Sequence, residues 1–105
     1  MKKPYVLTKS AESDLREIIR YTLENWGKAQ CLSYIADIEK DAEAVATGKG
    51  HFKEIHELMP NLRVMLSGKH FIFCLPQDNA PALILAILHE RMDMLAKLKN
   101  RLSST

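Results

Sequence analysis

Seven consecutive apolar residues, Ala82-Leu83-Ile84-Leu85-Ala86-Ile87-Leu88, stop abruptly at the pentapeptide His89-Glu90-Arg91-Met92-Asp93. A run of that length with no polar interruption reads as a strand buried on both faces, because a half-exposed strand alternates. The pentapeptide then marks where this strand leaves the core and an amphipathic helix begins.

The rest of the chain is ordinary globular material. Its 105 residues are 47% hydrophobic and 27% charged, which excludes a disordered chain. The length suits one domain, 1–105, with one modest core. Fifteen basic and thirteen acidic side chains leave +2, too little for nucleic-acid binding by bulk charge. The balance is uneven: residues 1–47 sum to −1 and residues 89–105 to +2, so the last helix is mildly cationic. Cys31 and Cys74 lack any metal-ligand spacing and read as buried thiols in a reducing compartment. No signal-peptide pattern follows Met1-Lys2-Lys3, and no apolar run approaches a membrane span. The expectation is a cytoplasmic protein with no membrane partner.

Periodicity orders the elements. Tyr5-Val6-Leu7 is a short strand. Thr8 or Ser10 caps a helix whose stripe is Leu15, Ile18, Ile19, Thr22 and Trp26, with Glu12 and Asp14 in its first turn. Gly27 stops it. A second helix over 28–47 carries Cys31, Tyr34, Ile35, Ile38, Ala42 and Val45 on one side, and the short turn makes the pair an antiparallel hairpin. Residues 51–61 read as irregular. Strands follow over 62–67, 70–75 and 82–88, with Ser67-Gly68-Lys69 as a tight turn and 76–81 as a turn-rich loop. Short links make these three an antiparallel meander. A final helix over 92–102 carries Met92, Leu95, Leu98 and Leu102, and Ser103-Ser104-Thr105 should fray. The fold class is α+β, in the order β-α-α-β-β-β-α, with the hairpin packed on one face of the sheet.

Little in the sequence points to catalysis. His51, His56, His70 and His89 have no metal-ligand spacing, so solvated or hydrogen-bonded imidazoles are the better reading. There is no nucleophile elbow and no phosphate-binding glycine loop. Acid–base cleavage of RNA would need only basic and imidazole groups near a sheet, which Arg63, Lys69, His70, His89 and Arg91 could offer. Trp26 reads first as closing the hairpin core and second as an interface residue. Met59, Met65, Met92 and Met94 add adaptable apolar surface, of which Met92 or Met94 could meet a partner. A small domain with wide stripes and a cationic final helix suits protein recognition better than turnover.

An ordered set of segments makes the family specific. Tyr5-Val6-Leu7-Thr8, Ala11-Glu12-Ser13-Asp14-Leu15, Ile18-Ile19-Arg20-Tyr21-Thr22, Trp26-Gly27, Gln30 and Tyr34-Ile35 resemble the N-terminal hairpin of ParE toxins. Phe52-Lys53, Glu57-Leu58, Leu62-Arg63, the strand 70–76 and Ala86-Ile87-Leu88-His89-Glu90-Arg91-Met92-Asp93 continue the resemblance, nearest to the plasmid-stabilisation type. It implies the RelE/ParE-like fold, a type II toxin–antitoxin module, a ParD-like antitoxin as partner, and DNA gyrase with its bound DNA as target. RelE-type relatives on the same scaffold are ribosome-dependent mRNA endonucleases. This chain continues past Asp93 as the Leu95–Leu98–Leu102 helix without a terminal His or Tyr, which favours gyrase inhibition over cleavage.

On that reading the chain has no catalytic residue, metal or cofactor, and no direct specific nucleic-acid binding is expected from the toxin alone. The antitoxin, disordered until bound, is expected on the hairpin flank and sheet edge around Leu15, Ile19, Tyr34 and Ile38, which are also core candidates. Gyrase contact is expected from Arg91, Met92, Lys97 and Arg101, on the cationic C-terminal segment.

Overall fold

The computed structural model describes residues 3–103. Its elements are β1 (Tyr5–Leu7), α1 (Lys9–Trp26), α2 (Lys28–Ala46), β2 (Lys53–Glu54), β3 (Arg63–Ser67), β4 (His70–Gln77), β5 (Ala80–His89) and α3 (Met94–Ser103). The sheet order is β1-β5-β4-β3-β2. The expected α+β class, helical hairpin and antiparallel meander are all present. Three features differ from the sequence reading. The 76–81 segment, expected as a turn-rich loop, is mostly strand: β4 runs to Gln77 and pairs with Ala80 of β5, because Asp78-Asn79, with Asn79 at φ +58°, closes a two-residue hairpin turn. β1 joins β5 in parallel, so the sheet is mixed. The 51–61 segment is not wholly irregular, because Lys53 and Glu54 add a short edge strand to β3. Two charged residues carry no alternation, so periodicity had nothing to register.

Local chemistry accounts for the element ends. The Thr8 hydroxyl accepts the Ala11 N–H at 3.1 Å and caps α1. Gly27, at φ +87°, ends α1 and opens α2, accepting the Cys31 N–H at 3.0 Å. Asp93 accepts the Ala96 N–H at 3.3 Å, which starts α3 after the polar pentapeptide rather than within it at Met92. The side chains of Met94 and Leu95, and the residues Ser104 and Thr105, lie outside the described residues.

β5 is covered on both sides, as its composition requires. Ala82, Ile84 and Ile87 face the hairpin with Ala11, Ile18, Ile38, Ala42 and Val45. Ala86 and Leu88 face a second cluster with Leu62, Phe73 and Leu98, closed by Ile55, Leu58, Met59 and Leu102. Ile84 and Ile87 share a face although three positions apart. The reason is a bulge: Phe73 pairs Ala86 and Cys74 pairs Ile84, which leaves Leu85 as an extra residue. The bulge reverses the in–out parity halfway along the strand, so one apolar run feeds both clusters.

The hairpin extends beyond the sheet. Burial along α1 ends at Thr22, and every residue from Leu23 to Gln30 is exposed. Trp26 is 67% exposed, which corrects its reading as a core-closing residue. The apolar stripe continues in sequence, but no strand lies beneath its last turn.

Candidate functional site: a cationic cleft beside the open edge of β5

β1 is only three residues long, so its pairing with β5 stops at Leu7–Ile84. Beyond that point the edge of β5 opens into a cleft of about 710 Å³. α1 forms one wall, through Ser13, Asp14, Glu17, Ile18, Tyr21, Thr22 and Trp26. The β3–β4 turn and β5 supply Lys69, His70, Ile87, Leu88 and His89. Gln30 and Tyr34 come from α2, and Arg91, Met92, Lys97 and Arg101 from the C-terminal segment.

A polar clamp sits at the base of the cleft. The Asp14 carboxylate accepts the Ile87 N–H at 3.0 Å and two Arg101 guanidinium contacts at 2.8 and 3.2 Å. Arg101 Nη1 also donates to the Leu85 carbonyl at 3.2 Å. The bulge and the early end of β1 leave these backbone groups without ladder partners, and the ion pair satisfies them. Asp14 thereby ties α1, β5 and α3 together.

A second polar chain lines the cleft. The Tyr34 hydroxyl accepts the Lys69 N–H at 2.9 Å and stands 2.6 Å from His70 Nδ1. The hydroxyl keeps a hydrogen to donate and a second lone pair, so its bond to Nδ1 runs in the direction set by the His70 tautomer. Burial, helped by neighbouring His89, pushes the His70 pKa down from 6.5 to about 4. Burial also raises the Tyr34 phenol, which keeps it a donor. The His70 and His89 rings meet edge to face at 5.1 Å. His89 Nδ1 accepts the Arg91 N–H at 3.1 Å, so its ring is left as an Nε2–H donor when neutral. The pentapeptide is thus a strand-end turn followed by a helix cap, with Met92 N–H bonded to the His89 carbonyl at 3.0 Å.

All four C-terminal residues expected at a target surface share this cleft. Arg91, Met92 and Lys97 are exposed, whereas Arg101 is half-buried and held by Asp14, so its charge is already engaged. The hairpin residues separate. Ile38 is 2% exposed and belongs to the core, not to a surface. Leu15 is half-buried against the same core, Tyr34 faces the cleft, and Ile19 is 36% exposed. Arg63 is not part of the cleft. It donates to the Val45 carbonyl at 2.9 Å and stacks on Phe52 at 4.7 Å, capping α2. Sequence reasoning missed Tyr21 and Trp26 as cleft walls and Asp14 as the partner of Arg101. The Trp26-Gly27 pair, a large aromatic at a helix end, was the one available signal for the first. Among the described residues no group of three or more His, Cys, Asp or Glu is placed to hold a metal ion. No helix among them is long and apolar enough to cross a membrane.

The chain's arrangement has known counterparts. A solved structure of the chromosomal ParDE TA system from P. aeruginosa superposes with a TM-score of 0.66 at 17% identity, covering 81% of this chain and 92% of that one. That likeness establishes the fold. The family model for the ParE toxin of type II toxin-antitoxin system, parDE, matches residues 5–94. Toxin ParE of Escherichia coli is 51% identical over 98 residues, 93% of this chain and 95% of the relative. Toxin ParE1 of Caulobacter vibrioides is 29% identical over 96 residues, covering 91% and 98%. Toxin ParE1 of Mycobacterium tuberculosis is 26% identical over 94 residues, covering 90% and 96%. The chain belongs to the ParE toxin family of type II toxin–antitoxin systems.

Proposed function

We propose that this toxin acts in the cytoplasm by inhibiting DNA gyrase, trapping the enzyme with its DNA cleaved, and that a ParD-like antitoxin neutralises it. The toxin makes and breaks no covalent bond itself. The carrying observation is the family match over residues 5–94, which spans the hairpin, the sheet and the cleft as far as Met92. The gyrase-facing surface is the cleft rim, where Arg91, Met92 and Lys97 are exposed together. The antitoxin surface is the outer hairpin. Ile19, Leu23 and Leu32 are exposed there, at 36%, 47% and 62%, and an amphipathic segment folding onto them buries what the isolated toxin leaves wet.

Purified toxin and gyrase test the reading. The expected result is lost supercoiling with accumulation of cleaved plasmid, reversed by the antitoxin. Normal supercoiling at excess toxin overturns it. A translation extract run in parallel addresses the ribonuclease alternative: severed transcripts with unchanged plasmid topology would replace the gyrase reading.

A further inference from the structure

We propose that the cleft seats a short stretch of single-stranded DNA, its phosphates on Lys69, Arg91 and Lys97 and an unstacked base against Tyr21 and Trp26. The first support is the state of the charges. The cleft's two carboxylates are both engaged, Asp14 by Arg101 and Glu17 by Arg20. Lys69, Arg91 and Lys97 have no ion-pair partner among the described residues. The second is hydrogen-bond polarity. The His89 Nδ1 accepts the Arg91 N–H, which leaves its Nε2–H as a donor, so the polar lining offers a donor to an anion beside the three cations. The third is the pair of aromatic rings on the α1 wall. Tyr21 is 63% and Trp26 67% exposed, and both rings line the same cleft as the three cations, a combination that suits stacking of an unstacked base.

These features favour a nucleotide over an acidic peptide, because carboxylate side chains use the donors but leave the ring faces idle. They favour a single strand over a duplex, whose bases are already stacked. The cleft volume, about 710 Å³, is that of a small-ligand pocket and not of an extended groove. The weak net charge of +2 is no obstacle, since Lys69, Arg91 and Lys97 all line this one cleft. The choice of DNA rests on the gyrase reading, in which a trapped cleavage complex offers broken strands to a toxin bound beside them.

Full-length toxin without antitoxin is titrated with a short labelled oligothymidylate, and anisotropy is read together with the emission of Trp26, the only tryptophan. The expected result is binding with quenched Trp26 emission and a log–log salt slope of about −2, from three phosphates at about 0.7 each. Arg91→Gln and Lys97→Gln each lower that slope by about 0.7, and Trp26→Leu weakens binding by about fivefold or more. Circular dichroism confirms that these exposed substitutions leave the fold intact. Absence of binding at low salt, an unchanged slope in the variants, or tighter binding of polyglutamate or oligouridylate overturns the proposal. Gyrase supercoiling measured on the same preparations separates the two readings: intact inhibition without oligonucleotide binding removes this inference and leaves the gyrase reading standing.

Discussion

Asp14 on α1 and Arg101 on α3, 87 positions apart, meet in a two-pronged ion pair at 2.8 and 3.2 Å. Their side chains are 14% and 26% exposed, so the pair is largely withdrawn from solvent. It also satisfies the Ile87 N–H and the Leu85 carbonyl at the bulge. Removing Asp14 strands the Arg101 charge and the Ile87 N–H together. Asp14→Ala is expected to cost about 3 kcal/mol in urea unfolding, near the lower end for a broken buried pair. The Asp14→Ala/Arg101→Met double variant should lose less than the sum of the singles, since neither charge is then orphaned. Strict additivity would show that the two residues act independently.

Stability should depend on pH through His70. Its folded pKa, about 4, lies below the ordinary 6.5, so the unfolded chain takes up the proton first. The contribution is complete above pH 6.5, falls as pH drops towards 4, and levels off below that. The groups facing the ring are Tyr34, His89, Glu90 and Asp14, of which the carboxylates partly offset the effect. The stability gap between wild type and His70→Gln should shift by about 2–3 kcal/mol across this window, allowing for partial solvent screening. A proton NMR titration placing His70 near 6.5 would contradict the buried, Tyr34-bonded geometry.

Gly68 and Gly27 both have positive φ, +59° and +87°, yet they differ in surroundings. A Cβ on Gly68 would lie 2.7 Å from the Tyr34 ring and 2.9 Å from its hydroxyl, whereas one on Gly27 meets nothing within 4 Å. Gly27→Ala should therefore cost only the backbone penalty, about 2 kcal/mol, because φ +87° with ψ 173° is a conformation essentially confined to glycine. Gly68→Ala adds displacement of Tyr34 and loss of its bond to His70, for a total of about 2–3 kcal/mol. Thermal denaturation of the two variants, side by side, checks the ranking.

Much of this architecture is legible in residue spacing. The stripes Ile18/Thr22 and Cys31/Ile38/Ala42/Val45 are the buried faces of the hairpin, and the Ala82–Leu88 run is covered on both sides. What spacing does not reveal is relative position. Burial of Ile38 and exposure of Trp26 depend on where the sheet ends beneath the helices, a tertiary fact that no helical wheel contains. The parity reversal at Leu85 is likewise invisible, because both faces of β5 are apolar and the bulge changes no pattern. The site fared similarly. Arg91, Met92, Lys97 and Arg101 do come together, but only the structure distinguishes the free cations from the one held by Asp14.

Separation of two surfaces follows from their positions on the molecule. Ile19, Leu23 and Leu32 do not line the cleft, and Arg91 and Lys97 do. All five are exposed, so substitution there should change folding stability by no more than about 0.5 kcal/mol. Leu23→Glu with Leu32→Glu places charge where an apolar partner face must settle, and is expected to weaken antitoxin binding by about tenfold or more. Gyrase inhibition by that variant should be unchanged, which makes it a toxin the antitoxin no longer silences. Arg91→Glu with Lys97→Glu should do the reverse, abolishing inhibition while the antitoxin still binds. Calorimetry with the antitoxin and supercoiling assays with gyrase, run on both variants, read the two effects separately. Loss of both activities in either variant would mean that one surface serves both partners, and the two-surface assignment would fall.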